Sequence, residues 1–242
     1  MAGSVKRGYS PDDERNFTGS ALDTMKRAAE DLYFLLNRGY PVKNAATFIG
    51  NHYLLSERQR TALSRIVSPE KEINERAARQ KRPDTLAGKT VNIDGFNEII
   101  TLEVAQSGSP VFVCMDGAFR DLAGLRGSYR LIDKTDASIR SIISELRRLS
   151  VKQAVFWLDA PVSNSGRLKT RIAEITEEEG FEVRIEISNQ VDRILYDLPD
   201  VISSDSVILD RCPSWFNLNE RIIPGIPGAW ILDWWFLRAA GK

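Results

Sequence analysis

From residue 89 onward, short apolar runs rich in β-branched residues alternate with amphipathic stretches, and four of the runs lead straight to an aspartate. Few architectures accept that alternation. Strands that are apolar throughout must be covered on both faces, and the helices between them supply the cover. This predicts an α/β domain, a mostly parallel sheet in a three-layer α/β/α arrangement. The four runs are Thr90 to Asp94, Pro110 to Asp116, Gln153 to Asp159, and Val201 to Ser204 followed by Asp205; Glu182 to Ile187 is a further strand without a terminal acid. In the first run Val91 and Ile93 alternate with Asn92, as strand residues do. Gly95 is expected to allow a sharp turn and Asn97 to open a helix. Ala137 to Leu149, Gly166 to Glu179 and Val191 to Leu198 read as helices, and Leu131-Ile132 as a short strand.

The front of the chain has a different period. Residues 1–18 are polar and charged and read as a flexible lead-in. Residues 19–82 read as a small helical module. Leu22, Met25, Ala29, Leu32 and Leu36 recur at three- and four-residue steps, as on a core-facing helix. Gly39 ends that helix, Pro41 opens a second, Ser56 caps a third, and Pro69 precedes a fourth. Residues 83–88 form a linker, and residues 89–242 the α/β domain with a Trp-rich C-terminal extension. The two helices meeting near Tyr53 to Leu55 have a helix-turn-helix layout. Arg58, Arg60 and Arg65 lie on the polar face of the third helix. That face would meet RNA, be solvated, or dock on the second domain.

Charge is balanced overall but not along the chain. Residues 1–82 carry 15 Lys plus Arg against 10 Asp plus Glu, and residues 83–242 carry 18 against 23. A basic front could face a polyanion and an acidic rear could hold cations. Cys114 and Cys212, without CxxC spacing, point away from a disulfide framework or a zinc site. A single histidine, His52, excludes multi-His metal centres and leaves no basis for a Ser-His-Asp triad. No apolar run follows Lys6 and Arg7, so no signal peptide is expected. The segment Ala229 to Ala240 is too short and too charged to span a bilayer, and the expected location is cytoplasmic.

In a parallel sheet, Asp94, Asp116, Asp159 and Asp205 would all reach one edge. Gathered carboxylates repel and raise one another's pKa. A divalent cation relieves that, and Mg²⁺ or Mn²⁺ suits an all-oxygen set completed by water and phosphate. Such a centre activates water for phosphodiester cleavage. Ser163 and Ser165 lead into a helix whose N-terminus could hold a phosphate or could simply be capped. Arg120 could contact phosphate or steady a carboxylate. Asn97 could orient Asp94 or bind a metal-bound water, and Asp192 is a second-rank acid. Asp133 and Asp136 are expected to cap the helix after them. Arg126 and Arg130 add charge to the loop after Arg120. Trp215, Trp230, Trp234 and Trp235 could stack bases, or pack on the sheet, on the helical module or across a homodimer.

Two resemblances follow from particular residues. Ile93-Asp94-Gly95-Phe96-Asn97 and Ser203-Ser204-Asp205 resemble the first-strand and late-strand motifs of PIN-like nucleases, especially the NYN-type branch. Leu36 to Pro41, Arg58-Gln59-Arg60, Ile93 to Asn97, Asp116-Gly117 with Arg120-Asp121, and Asp159 to Gly166 resemble an uncharacterised prokaryotic family, domain of unknown function 434. The nuclease resemblance implies metal-site roles for Asp94, Asp159 and Asp205. The chain departs from the pattern in its Asp116-Gly117…Arg120-Asp121 element and in lacking an evident helix-borne central acid. The expected activity is a Mg²⁺- or Mn²⁺-dependent ribonuclease. Asp94, Asp116, Asp159 and Asp205 would bind metal, and Asn97, Arg120, Ser163, Ser165 and Ser204 would hold the substrate. The alternatives are a nucleotide phosphohydrolase or phosphotransferase, and a non-catalytic RNA-binding or regulatory protein.

Overall fold

Glycine, proline and small polar residues divide the front of the chain into five helices: α1 (Asp13–Phe17), α2 (Gly19–Leu36), α3 (Val42–His52), α4 (Glu57–Ile66) and α5 (Glu70–Arg79). The computed structural model describes residues 5–124 and 127–234. Gly39, at φ +81°, takes the left-handed turn that ends α2. Ser56 and Gln59 close a reciprocal capping box on α4. Met25, Ala29, Leu32 and Leu36 are buried on one stripe of α2. A 3₁₀ turn at Pro83–Thr85 with a buried Leu86 occupies the expected linker. There follow β1 (Thr90–Asp94), α6 (Gly95–Gln106), β2 (Pro110–Val113), β3 (Phe119–Arg120), α7 (Thr135–Arg148), β4 (Gln153–Asp159), α8 (Ser165–Glu179), β5 (Val183–Ser188), α9 (Val191–Leu195), β6 (Val201–Ile202), α10 (Ser206–Leu209), α11 (Asn219–Ile222) and β7 (Trp230–Asp233).

The chain is α/β with a helical front and a mostly parallel sheet. Four strands pair in the order β5-β4-β1-β6, all parallel. Alternation sorts their side chains. Val91 and Ile93 of β1, Ala154, Phe156 and Leu158 of β4, and Ile202 of β6 join the core formed with α6, α7 and α8. Residues of opposite parity, Trp157 and Val201 among them, face a smaller cluster with Val191, Leu195, Ile208, Leu209 and Trp215. Asp94 and Asp159 have that second parity.

The second strand departs from expectation. β2 is not in the main sheet; it pairs antiparallel with β3 and parallel with β7 in a separate sheet. Both its faces are buried, for different partners. Val111 enters the α/β core, whereas Phe112 and, just beyond the strand, Cys114 and Met115 join the core of the helical module with Leu232 and Trp234. The three-stranded sheet is therefore a layer shared by both halves of the chain. β7 lies within the Trp-rich extension, and Trp215 and Trp234 are core residues; Trp235 lies outside the described residues. The short strand falls at Phe119–Arg120, where Phe112 has a ladder partner, rather than at Leu131-Ile132.

The segment expected as a lead-in is held at several points. The Arg7 Nε donates to buried Glu103 at 2.8 Å, which also accepts from Tyr129 and Thr135. Asp13 pairs with Arg58 at 2.7 Å, and Phe17 is fully buried. Buried carboxylates need such partners, and a polarity count along residues 1–18 does not reveal them. Among the described residues no helix is long and apolar enough to cross a membrane, and both cysteines are free and buried.

Gly95 starts α6 directly after Asp94, two residues before the expected start at Asn97. Its role is close approach rather than a left-handed turn: a Cβ there would meet Leu158 Cδ2 at 2.6 Å and the Trp157 carbonyl at 3.1 Å. Leu158 can give way but the β4 backbone cannot do so cheaply. We expect Gly95→Ala to destabilise the protein by about 1–3 kcal/mol, measured by denaturant unfolding.

Candidate functional site

At the C-terminal edge of the four-stranded sheet lies a half-open cavity of about 360 Å³. Asp94 ends β1, Asp159 ends β4, Asp205 follows β6, and Asp192 stands in the first turn of α9; all four line it. β1 is flanked by β4 on one side and β6 on the other, so the cavity opens where the chain reverses its direction of winding, the usual place for ligands in open α/β sheets. Phe96, Ile100, Asp121 and Ala123 also line it, as do Ser64 and Arg65 of α4.

The two stretches that carry the nuclease resemblance meet here. Ser203 Oγ donates to Asp94 Oδ2 at 2.9 Å. The Ser204 amide and hydroxyl both donate to Asn97 Oδ1, at 2.9 and 2.8 Å. This latch joins the first turn of α6 to the exit of β6 across 107 residues. Asp205 caps α10, accepting from Val207 and Ile208 amides.

The electrostatics are one-sided. Burial, and then the charges of Asp205, Asp159 and Asp192, push Asp94 up to about 8, against the lowering effect of Ser203. Asp159 is raised by burial and by Asp192, and Asp192 by burial and by Asp205. Glu98, missed in the sequence, is fully enclosed one turn into α6. Burial and the Asp94 charge hold it well above the ordinary carboxylate range, and its Oε2 has no hydrogen-bond partner among the described residues. Its signal was the four-residue step from Asp94, which stacks two acids at one helix start. Asp192, the second-rank acid of the sequence, lines the cavity from the first turn of α9.

Asp116 stands apart from this group. It does not line the cavity and is enclosed between two arginines. Its carboxylate accepts from Arg76 Nη1 at 2.7 Å and from Arg120 Nη1 and Nη2 at 3.0 and 2.5 Å. Burial opposes its ionisation, but Arg120 and then Arg76 outweigh burial and hold it below the ordinary range. Arg120 lines the cavity, yet its guanidinium is engaged by Asp116 and by the Ser204 and Arg65 carbonyls. Of its two expected roles, the geometry matches steadying a carboxylate. Ser163 and Ser165 do not line the cavity; Ser163 bonds through its backbone to Gly127 and Tyr129, and Ser165 opens α8. Asp133 and Asp136 pair with Lys134 and Arg171. Arg126 lies outside the described residues.

The three arginines of α4 do not act as one face. Arg58 is committed to Asp13 and to the Gly8 and Leu122 carbonyls. Arg60 turns back on Leu55 and Asn51. Arg65 alone reaches the cavity.

Among the described residues, no three His, Cys, Asp or Glu side chains converge into a ready-made metal cage. The acids share a wall without closing on a point. An all-oxygen donor set of this kind still fits Mg²⁺ or Mn²⁺, which take one or two carboxylates and complete the shell with water and phosphate.

Residues 83–221 match the family model described as Domain of unknown function (DUF5616), and residues 24–79 match Protein of unknown function (DUF434). The chain is similar to Uncharacterized protein MJ0935 of Methanocaldococcus jannaschii, 34% identical over 186 residues that cover 77% of this chain and 89% of that protein. No solved structure matches the chain.

Two outcomes are expected. Asp116→Ala leaves Arg120 buried without a carboxylate partner and Arg76 with only Asp210 and Glu72 as counter-charges, and should cost about 3–5 kcal/mol of stability in urea unfolding. Asp94 has a folded pKa above its ordinary 3.8. Its contribution to stability is therefore full below pH 3.8 and lost as pH rises through about 8. Asp94→Asn should gain on the parent by a few kcal/mol between pH 6 and pH 9, in metal-free melts at both values.

Proposed function

The chain belongs to the family described as Domain of unknown function (DUF5616), and for it we propose a metal-dependent ribonuclease-like activity carried by a PIN-like α/β domain. Four carboxylates, Asp94, Asp159, Asp192 and Asp205, sharing one cavity at the sheet edge carry this reading. Among the described residues no lysine lines that cavity, Arg120 is spent on Asp116, and Arg65 is the remaining basic side chain there. The resemblance of Ile93 to Asn97 and of Ser203 to Asp205 to NYN-type motifs supports it, since the two stretches are hydrogen-bonded to each other at the cavity.

Asp94, Asp159, Asp205 and Asp192 would hold Mg²⁺ or Mn²⁺, which supplies an ionised water and charge stabilisation at the phosphate. The remaining work falls to the chain itself. Ser203 fixes the Asp94 carboxylate, and the Asn97–Ser204 latch keeps α6 and β6 in register around it. Phe96, Ile100 and Ala123 offer an apolar wall for a nucleoside. Asp116 and Arg120 hold the frame behind the cavity and are not in the reacting set. Ser163 and Ser165 have no part in it.

A cavity of about 360 Å³ also favours a second reading, a phosphohydrolase acting on a single nucleotide. Both are tested together. Mn²⁺ titrated calorimetrically into the parent should bind, and Asp94→Asn and Asp205→Asn should each abolish binding. Affinity should rise by up to about tenfold per pH unit as Asp94 loses its proton. Cleavage of a single-stranded oligoribonucleotide in Mg²⁺ should fall on the order of 100-fold or more in either variant, and stop with EDTA. Variants that fold and cleave at the parental rate exclude the proposal, and turnover of mononucleotides alone favours the second reading.

A further inference from the structure

Arg65 reaches the acidic cavity from the other half of the molecule. It lies in the last turn of α4 and, with Ser64, lines the same cavity as the aspartates. Its position is fixed from several sides. The Arg65 carbonyl accepts from Arg120 Nη1 at 3.1 Å, and the next carbonyl, of Ile66, accepts from the Met115 amide at 3.0 Å. Its Nη1 donates to the Asp121 carbonyl at 2.5 Å. That leaves its Nε and Nη2 without a hydrogen-bond partner among the described residues. Arg120, the other basic residue of the cavity, uses Nε, Nη1 and Nη2 on the protein itself. Arg58 is likewise consumed, and Arg60 is not at the cavity.

We infer that Arg65 is the phosphate anchor of this site, and that the helical module is a wall of the substrate pocket rather than a separate nucleic-acid-binding unit. A half-buried guanidinium with two nitrogens unbonded, lining the same cavity of about 360 Å³ as the aspartates, is arranged to hold a phosphate. The ligand class is a nucleotide phosphate, with the phosphate between Arg65 and the acidic wall and the nucleoside against Phe96 and Ile100. This rests on the reading of the cavity as a phosphoester site, but it commits to a residue which that reading does not need.

The test uses the full-length protein with Mn²⁺ and two probes: a fluorescein-labelled phosphorothioate decauridylate, slow to hydrolyse, followed by anisotropy, and adenosine 5′-monophosphate followed by calorimetry. Arg65→Ala should weaken both about 10- to 100-fold. Arg65→Lys should recover part of the loss, because an ammonium cannot grip two oxygens. Arg60→Ala should change neither by more than about twofold. The slope of log affinity against log salt for the oligonucleotide should become shallower by about 0.7 in Arg65→Ala. Mn²⁺ affinity and the melting temperature, unchanged in Arg65→Ala, separate a lost anchor from a damaged fold. Parental binding of both probes by Arg65→Ala overturns the inference, as does a parent that binds neither probe. If the parent binds the mononucleotide through Arg65 but not the oligonucleotide, the anchor stands and the ribonuclease reading falls.

Discussion

A buried ion network of Arg76, Asp116 and Arg120 holds the two halves of this molecule to one another. Arg76, from α5, is 1% exposed and also meets Asp210 at 2.6 Å beyond α10. Arg120, on β3, continues to the carbonyls of Ser204 and Arg65. One carboxylate therefore organises α4, α5, the second sheet and the exit of β6. Such networks contribute little net stability over a well-packed apolar substitute, because each charge must first be stripped of water. Their effect lies in geometry. With every guanidinium nitrogen bonded, the arginines leave few alternative arrangements of the helices over the sheet edge.

The same network shapes the electrostatics of the cavity in front of it. Arg120 lies on the cavity wall, where a free guanidinium would neutralise the aspartates. Asp116 takes that charge out of play. Burial, and then the charges of the neighbouring aspartates, push Asp94 up to about 8. A fold that keeps such an arrangement accepts a local cost in stability, as functional sites commonly do. Glu98 beneath Asp94 deepens the cost, since its Oε2 is enclosed without a partner among the described residues. A cation or a phosphate–cation pair in the cavity would relieve it.

Local pattern was a reliable guide wherever the physics is local. β1 and β4 have the bounds read from their alternating apolar residues, and Ser56 caps α4 as read. Asp94, Asp159 and Asp205 reach one edge because parallel strands end on the same side. Pro110 to Asp116 failed for a reason that periodicity cannot carry. An apolar run specifies burial but not against what, and Phe112 is buried by the helical module instead of by the main sheet. Arg58, Arg60 and Arg65 failed as a set in a similar way, because helical spacing gives a face but not the chain segments that cover it.

The sequence by itself determined that this chain alternates strands and helices behind a helical front, where most elements begin and end, and that several strands deliver an acid to a common edge. Those properties depend on backbone preference and on the period of apolar residues, which are readable over ten residues or so. Only the tertiary structure decided which aspartates share a cavity and which one is neutralised by arginine. It alone decided that the helices and the second sheet form one core, and that Arg65 rather than Arg120 has donors to spare. Each of these depends on contacts between residues far apart in the chain, where a hydrogen-bond partner or a counter-charge at 3 Å outweighs anything the neighbouring residues prefer.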